Sequence, residues 1–323
     1  MAASSAVAAA GDTNDGMPIV IAHRGASAYR PEHTLAAYEL AIEMGADYIE
    51  QDLVPTADGV LVSRHENEIS GSTDVASRPE FAARRAAKTI DGKQLTGWFT
   101  EDFTLAELKT LRAVERIPGM RPANAEYDGR FEIPALQEII DLAKREGVGI
   151  YPETKHPTYF ASIGLPLEAP LVAALRENGL TGSDAPVFLQ SFEASSLKQL
   201  RTQVEVPLVQ LVGSRAVPAL DRVAGYADAI GPAKALVVTA EGEPTTFVDD
   251  AHRAGLAVHP WTFRPENGHI LQAFRRGDPD EPAFARSHGD QPAELALFYR
   301  LGVDGVFADN PDAAVAVRAD VTR

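Results

Sequence analysis

The chain of 323 residues contains no cysteine. This absence excludes a disulfide framework, a thiolate metal site and a cysteine nucleophile, although it does not identify a cellular compartment. Basic residues are scarce as well, because 30 Lys and Arg stand against 46 Asp and Glu and leave a net charge of −16. A protein that binds a phosphate backbone needs clustered Lys and Arg. We therefore expect no nucleic acid partner.

Long apolar runs are also missing. No stretch of about 18 apolar residues occurs, so no membrane span is expected. Residues 1–18 contain no Lys or Arg, whereas a signal peptide has a basic start and a longer apolar core. This composition predicts a disordered tail at 1–18 and favours a cytoplasmic protein. The alternative is an incompletely represented export signal, which would make the protein periplasmic or secreted.

Short apolar runs and amphipathic windows alternate along most of the chain. The first run, Ile19–His23, is followed by a helical window at Leu35–Glu43 with Thr34 as its N-cap. The remaining predicted strands are Tyr48–Val54 with Val60–His65 as a hairpin extension, Val148–Lys155, Val187–Phe192, Leu208–Val212, Ala229–Ile230 with Leu236–Val238, Val258–Phe263 and Gly305–Ala308. About eight strands thus alternate with about eight helices, and no Gly-x-Gly-x-x-Gly turn occurs. This pattern favours a (β/α)8 TIM barrel.

Two stretches depart from the alternation. From 66 to 130 the pattern is loose, with one short predicted helix at Thr104–Leu111, and from 268 to 291 the chain is polar. We interpret 66–130 as an excursion from the main fold and 268–291 as a second insertion.

Acidic, basic and imidazole side chains recur where the predicted strands end. Glu50 and Asp52 are two residues apart on one strand, so both carboxylates point to the same face. Two inward carboxylates are costly to bury without a cation or protons, and Glu153 ends another strand at an equivalent level. The three can converge on one hard cation. Each residue alone also has an ordinary structural explanation, such as a hydrogen-bonded histidine at a strand end.

Three oxygen ligands without cysteine favour Mg²⁺ or Ca²⁺ over Zn²⁺. A zinc hydrolase is disfavoured further, because the sequence has no His-x-His pair and no His-Glu-x-x-His helix. Beside such a cation, Arg24 and Lys155 would form an anion site suited to a phosphate oxygen. His23 and His65 would exchange protons near neutral pH. The residues alone therefore indicate metal-assisted phosphoryl chemistry.

Several short motifs follow one another in order along the chain. They are His23-Arg24-Gly25, Pro31-Glu32-His33-Thr34-Leu35, Glu50-Gln51-Asp52, His65, Pro152-Glu153-Thr154-Lys155, Gln190-Ser191-Phe192, His259-Pro260-Trp261-Thr262 and Val303-Asp304-Gly305-Val306-Phe307-Ala308-Asp309. In this combination they resemble the glycerophosphodiester phosphodiesterase family, in particular the branch with periplasmic bacterial enzymes and plant relatives. The resemblance covers nearly the whole chain.

The resemblance implies a TIM barrel over 19–318 with a small inserted domain after the second strand, at about 66–130. It implies hydrolysis of glycerophosphodiesters such as glycerophosphocholine to sn-glycerol 3-phosphate and an alcohol, a step of glycerol and lipid metabolism. It also implies the site residues: His23 and His65 as the acid/base pair, Glu50, Asp52 and Glu153 for a divalent cation, Arg24 and Lys155 for phosphate, and Gln190, Phe192 and Trp261 for the rest of the substrate. Ca²⁺ is the cation expected first in this branch, with Mg²⁺ as the alternative.

Two positions differ from many relatives of that family. His33 stands where many have Asn, although the branch accepts His. Glu66 follows His65 where many have Asp, and this exchange bears on how His65 is oriented. The sequence leaves open whether water or the glycerol 2-hydroxyl attacks phosphorus, and it carries no signal for an oligomeric state.

Two other functions are compatible with the same motifs. One is a lysophospholipase D or a phospholipase C-like lyase on the same barrel, which would differ in its products. The other is a non-catalytic protein that binds phosphodiesters. The presence of both His23 and His65 argues against a mere binder, because binding needs no proton transfer.

Overall fold

The computed structural model describes residues 16–213 and 217–321. The tail predicted at 1–18, and with it the predicted compartment, therefore falls mainly on residues 1–15, outside the described part. Within the described ranges, no helix combines the length and the apolar character that crossing a bilayer requires.

The described residues form a nearly closed barrel. Their strands are β1 (Ile19–Ala22), β2 (Tyr48–Pro55), β3 (Leu61–Ser63), β4 (Ala86–Ile90), β5 (Lys93–Gly97), β6 (Gly149–Thr154), β7 (Leu189–Ser191), β8 (Leu208–Val212), β9 (Ala229–Pro232), β10 (Ala257–Val258) and β11 (Gly305–Ala308). Parallel pairs run in the order β10-β9-β8-β7-β6-β2-β1-β11. A parallel bridge between Phe263 and Ala308 joins the two ends of this path. The (β/α)8 TIM barrel is confirmed.

Helices connect the strands around the outside. They are α1 (Leu35–Glu43), α2 (Leu105–Leu108), α3 (Leu136–Glu146), α4 (Pro157–Ser162), α5 (Glu168–Glu177), α6 (Ala194–Arg201), α7 (Leu220–Val223), α8 (Lys234–Val237), α9 (Phe247–Arg253), α10 (Gln291–Arg300) and α11 (Pro311–Val321). The predicted cap of α1 is confirmed, because the side chain of Thr34 accepts a hydrogen bond from the backbone N–H of Ala37. Helix α3 ends at Gly147, which takes the left-handed conformation typical of a helix C-terminus.

Two predicted strands are wrong in part. The apolar run Leu236–Val238 lies in and after helix α8, since a short buried run looks alike in a strand and in a buried helix. The strand predicted at Val258–Phe263 is regular only as far as Val258. Pro260 has no N–H to continue a ladder, and the segment beyond it pairs through isolated bridges.

The stretch from 66 to 130 contains structure that the sequence pattern did not predict. Strands β4 and β5 form an antiparallel hairpin, with Asp91 and Gly92 at positive φ in its turn. Helix α2 is shorter than the predicted Thr104–Leu111 and begins with a capping box between Thr104 and Glu107. The limits of the inserted domain, at about 66 and 130, stay a prediction.

The barrel interior is filled in two layers. An apolar cluster, made largely of aromatic rings, occupies the layer nearer the amino ends of the strands: Ile21, Tyr48, Tyr151, Phe188, Val209, Ala229 and Phe307. Because side chains alternate along a strand, the residue two positions later points the same way, one layer higher. Tyr48 is thus followed by Glu50, and Tyr151 by Glu153. The strand periodicity therefore places a polar layer above an apolar floor.

Candidate active site

A cavity of about 440 Å³ lies where the barrel strands end. All ten residues that the sequence analysis selected line it: His23, Arg24, Glu50, Asp52, His65, Glu153, Lys155, Gln190, Phe192 and Trp261. They come from different strands and loops, and the parallel sheet brings them together because the carboxyl ends of its strands share one face.

The loop after β1 is shaped to bring backbone and side chain to this cavity. Arg24 and Gly25 both have positive φ, at 61° and 81°. A Cβ atom on Gly25 would meet backbone and side-chain atoms of Ala37 at 2.6–2.8 Å, so only glycine lets the loop pack this closely on α1. In this conformation the backbone N–H of Arg24 donates to Oε2 of Glu50 at 2.7 Å. Strain of this kind is typical of functional sites.

Three buried carboxyl groups form one side of the cavity. Glu50, Asp52 and Glu153 expose 1%, 1% and 5% of their surfaces. Burial, and then the charge of Asp52, raise the pKa of Glu50 well above its ordinary value. Burial and the neighbouring Asp52 likewise raise the pKa of Glu153 to about 8. The pKa of Asp52 is held well below its ordinary value, against the effect of burial, by Lys155 and His33. The cluster therefore has more acidic groups than its own cations balance.

This donor set fits a divalent cation. Carboxylate oxygens of Glu50 and Asp52 lie within 4.8 Å of each other, and Glu153 pairs with Asp52 across the β2–β6 ladder. A cation there would offset the burial and the repulsion that raise the pKa values of Glu50 and Glu153. Carboxylate oxygens are the ligands of hard cations such as Ca²⁺ and Mg²⁺. The site accordingly binds a divalent cation.

His33 has a place that the sequence analysis did not assign to it. Its Nε2 lies 2.8 Å from Oδ2 of Asp52, and its Nδ1 lies 2.8 Å from the hydroxyl of Tyr38. Both ring nitrogens thus have protein partners, and the imidazole supports Asp52 from the side away from the cavity. A hydrogen-bonded imidazole behind a metal-binding carboxylate orients that carboxylate.

Two positively charged side chains flank the carboxylates. Nζ of Lys155 lies 3.1 Å from Glu153 and 3.7 Å from Asp52. Burial disfavours the charge of Lys155, but the two carboxylates outweigh it and raise its pKa. Arg24 donates from Nη1 to Glu32 at 3.0 Å, and its Nε lies 3.4 Å from Oδ2 of Asp52, an ion pair without hydrogen-bond geometry. Both positively charged side chains thus lie beside the carboxylates and line the cavity.

His23 is oriented by Asp309. Its Nδ1 lies 2.6 Å from Oδ1 of Asp309, which leaves Nε2 as the nitrogen without this partner. Burial, followed by the charge of Arg24, lowers the pKa of His23 to about 4. The ring is therefore neutral at pH 7 and carries its proton on Nδ1, toward the carboxylate. Asp309 was noted in the sequence only as the end of the last strand.

His65 begins a chain of side chains that leads out of the cavity. Its Nδ1 lies 3.0 Å from Oε1 of Glu66, whose Oε2 is 3.0 Å from Nε2 of His156. Nδ1 of His156 in turn lies 2.5 Å from Asp91, in the β4–β5 turn. Burial, then the charges of Arg24 and Lys155, lower the pKa of His65 to about 3. Glu66 thus orients His65 although it is not the more common Asp.

The opposite side of the cavity is more apolar. Phe192 is 47% exposed, and its ring packs edge-on against Trp261 at a centroid distance of 5.8 Å. Nε1 of Trp261 donates to the carbonyl of Gly231 at 2.8 Å, which fixes the indole. Gln190 lies between the two sides and donates to Glu50 at 3.3 Å, while its Oε1 has no partner among the described residues.

Several lining residues were not predicted. They are Leu211, Ala233, Lys234, Ala235, Thr262, Arg264, His269, Leu271 and Phe307. Thr262 follows Trp261 directly and Arg264 stands two positions further on, so both could have been found from the motif there. Lys234 and Ala235 lie in helix α8, where part of the sequence was predicted as a strand, so their position at the cavity had no signal.

Comparison with known proteins finds relatives over nearly the whole chain. The model of the glycerophosphoryl diester phosphodiesterase family matches residues 23–313. A glycerophosphodiester phosphodiesterase of Arabidopsis thaliana is 34% identical over 90% of this chain and 83% of its own length. One of Haemophilus influenzae is 30% identical over 92% of this chain and 88% of its own length.

The fold also has relatives among solved structures. An Oleispira antarctica phosphodiesterase, solved in complex with the product sn-glycerol-3-phosphate, matches with a TM-score of 0.65 at 23% identity. The match covers 93% of this chain and 96% of that one. At this identity the likeness concerns the barrel and its connections.

Proposed function

The chain belongs to the glycerophosphoryl diester phosphodiesterase family, and from this premise we propose how its cavity hydrolyses glycerophosphodiesters to sn-glycerol 3-phosphate and an alcohol. The activity itself follows from the family, since homologues of that name cover most of the chain. The observation that carries the mechanism is that three carboxylates, two basic side chains and two imidazoles line one cavity. The product named for the Oleispira antarctica relative is the one proposed here.

In this proposal, Glu50, Asp52 and Glu153 hold the divalent cation, and Ca²⁺ is preferred over Mg²⁺. The carboxylates come from two strands, and Ca²⁺ tolerates an irregular set of oxygen ligands, whereas Mg²⁺ demands a near-ideal octahedron. When bound, the cation supplies Lewis-acid polarisation of a phosphate oxygen. The raised pKa values of Glu50 and Glu153 support this assignment, because a cation would keep both ionised.

Arg24 and Lys155 bind the nonbridging oxygens of the phosphodiester. Both are buried, so their charges are screened little by solvent and act strongly on charge that develops at phosphorus. Phe192 and Trp261 line the apolar side, and Gln190 lies between, where they contact the glycerol or the alcohol.

His23 and His65 transfer the protons. Each uses Nδ1 for a carboxylate, Asp309 or Glu66, and so keeps Nε2 for the substrate. One Nε2 takes the proton from the attacking oxygen, which belongs to water or to the glycerol 2-hydroxyl. The other imidazole gives a proton to the oxygen of the leaving alcohol. If the 2-hydroxyl attacks, the resulting cyclic phosphate is then opened by water to give sn-glycerol 3-phosphate. Anionic substrate raises the proton affinity of both rings, which favours the protonated form that the acid needs.

The test is release of sn-glycerol 3-phosphate from glycerophosphocholine, measured in parallel with Ca²⁺, Mg²⁺ and a chelator. We expect activity with Ca²⁺, less with Mg²⁺ and none after chelation. The variants His23→Ala and His65→Ala should each lose on the order of 10²–10⁴ in kcat. Full activity in both variants would refute the acid/base assignment, and full activity after chelation would refute the role of the cation.

Product analysis in the same assay separates the related reactions. A phospholipase C-like lyase would accumulate a cyclic phosphate, and a lysophospholipase D would require an acylated substrate. A binding protein would be stabilised by glycerophosphocholine without forming product.

A further inference from the structure

Asp309 is held by more than its histidine. While Oδ1 faces His23, Oδ2 lies 2.6 Å from Nη2 of Arg121 and 2.9 Å from Nε of Arg264. Two guanidinium groups on one oxygen fix the plane of the carboxylate, because rotation about its last bond would break both charge-assisted bonds. The orientation of Asp309, and with it the bond to His23, therefore depends on these arginines.

Arg121 reaches Asp309 from a distant part of the sequence. It lies in the stretch 66–130, separated from Asp309 by 188 positions along the chain. Its Nε lies 2.6 Å from Glu266, and its Nη1 donates to the carbonyl of Ser27 at 2.8 Å. Each guanidinium nitrogen thus has a partner on a different loop of the barrel, and only 8% of the residue is exposed. Such a side chain is fixed in both position and charge.

The charges of the two arginines also keep Asp309 ionised. Burial alone would raise the pKa of Asp309, but the charges of Arg264 and Arg121 outweigh it and hold that pKa well below its ordinary value. An ionised Asp309 accepts a hydrogen bond from Nδ1–H of His23 and so selects one tautomer of the ring. Arg121 is not among the described residues that line the cavity, so it has no direct access to substrate.

We propose that Arg121 is a positioning residue for His23: through Asp309 it fixes the tautomer and orientation of the imidazole, and it makes the stretch 66–130 part of the catalytic apparatus. This inference rests on the proposed acid/base role of His23. It assigns to Arg121 an effect on turnover and not on substrate affinity.

The experiment measures kcat and KM of Arg121→Gln and Arg121→Lys with glycerophosphocholine and Ca²⁺. Loss of a group that orients a reacting histidine typically costs about 10- to 100-fold. We expect that loss in kcat for Arg121→Gln with KM unchanged, and partial recovery in Arg121→Lys, which keeps the charge. Because Arg121→Gln leaves Glu266 buried without its partner, the double variant Arg121→Gln/Glu266→Gln is measured as well. It keeps the local charge balance and should show the same loss of kcat.

A second readout does not depend on turnover. The ¹⁵N chemical shifts of His23 report which ring nitrogen carries the proton, and at pH 7 wild type should show the Nδ1–H tautomer alone. Arg121→Gln should show a mixture of the two tautomers. The pH profile of kcat should move its acid limb to higher pH in this variant, since Asp309 would take up a proton more easily.

Arg318→Gln is the matched control. Arg318 is 9% exposed and pairs with the partly buried Asp47 at the other end of the barrel, so its loss removes an arginine–carboxylate pair far from His23. It should lose stability but keep kcat and the tautomer of His23. An unchanged kcat and tautomer in both Arg121→Gln variants would overturn the inference. Absence of activity in wild type would instead overturn the proposed function, while the tautomer measurement would still test Arg121.

Discussion

Glu66 shows what one added methylene does at a single position. Its carboxylate joins His65 to His156, with 3.0 Å at each end, and a shorter Asp at the same position would span less of that gap. The side chain is 42% exposed, so water competes for both hydrogen bonds and weakens them. We therefore assign Glu66 a smaller effect than the buried Asp309.

Replacing Glu66 with Gln should lower kcat by roughly tenfold, because a neutral amide orients the neighbouring imidazole less strongly. KM should stay unchanged, and steady-state kinetics with glycerophosphocholine measures both. The control is Glu80→Gln, the same exchange at an exposed position of the same stretch 66–130, which should behave as wild type. A Glu66→Gln enzyme with wild-type kcat would show that His65 does not depend on this carboxylate.

His259 makes stability depend on pH. It is buried beside Tyr151, and burial lowers its pKa to about 4. In the unfolded chain the same ring takes up a proton near pH 6.5, so acidification favours unfolding between pH 6.5 and 4. The free energy of unfolding should fall by roughly 3 kcal/mol from this group across that window, and above pH 6.5 the group should have no effect.

Urea denaturation at pH 4, 5, 6 and 7 tests this dependence. In His259→Gln, which keeps a partner for the hydroxyl of Tyr151, stability should fall less steeply with acid than in wild type. His288→Gln, at an exposed position, should keep the wild-type slope. Identical slopes in all three proteins would contradict the prediction for His259.

At the scale of the element, the β1–α1 connection depends on how closely its loop approaches the helix. Gly25→Ala adds a Cβ that would meet Ala37 at 2.6–2.8 Å, in addition to the cost of positive φ. Gly59→Ala is its matched control, because Gly59 has a similar φ of 77° but open space around it. Gly59→Ala should cost about 1 kcal/mol, and Gly25→Ala several kcal/mol more.

The free energy of unfolding from urea titration measures both glycine variants. Activity gives a second comparison, since a displaced loop would move Arg24 and His23 and lower kcat in Gly25→Ala alone. An equal loss in the free energy of unfolding for the two substitutions would mean that the loop after β1 moves to accommodate the added methyl group without further loss of stability.

The elements that the sequence predicted well are those with strong local signals. Helix α1 has its N-cap at Thr34, and all eight residues of strand β2 are buried. The sequence signals fail where a strand has no buried face. The hairpin β4–β5 carries Lys and Thr on largely exposed faces, so no hydrophobic alternation marks it.

At the scale of the whole molecule, the three carboxylates link strands β2 and β6. A cation bound by Glu50, Asp52 and Glu153 binds only the folded chain, in which these side chains meet, and so stabilises it. At a Ca²⁺ concentration about 100 times Kd, the gain should be about 2.7 kcal/mol. Chelation should therefore lower Tm in wild type.

Thermal unfolding with and without Ca²⁺ tests this link. Glu153→Gln should lose most of the difference in Tm, whereas Glu177→Gln, exposed on α5, should retain it. An equal response of Glu153→Gln and wild type would remove Glu153 from the cation site.

The convergence of the candidate site could be predicted because a parallel barrel leaves little choice. Residues at strand ends, such as Glu50 and Glu153, must meet at one mouth once the fold is known. Arg121 could not be predicted, since the loops that cross the mouth have no periodicity that would place their side chains. What the barrel strands contribute is readable from spacing, and what the insertions contribute depends on tertiary packing.

The apolar floor of the barrel has a consequence for how substrate enters the cavity and how product leaves it. Tyr151, Phe188 and Phe307 close the interior below the polar layer in the described part of the chain, so substrate and product use the same cavity at the strand ends. Glycerol phosphate that stays bound in the cavity prevents the next substrate molecule from binding. We therefore expect it to act as a competitive inhibitor in initial-rate measurements.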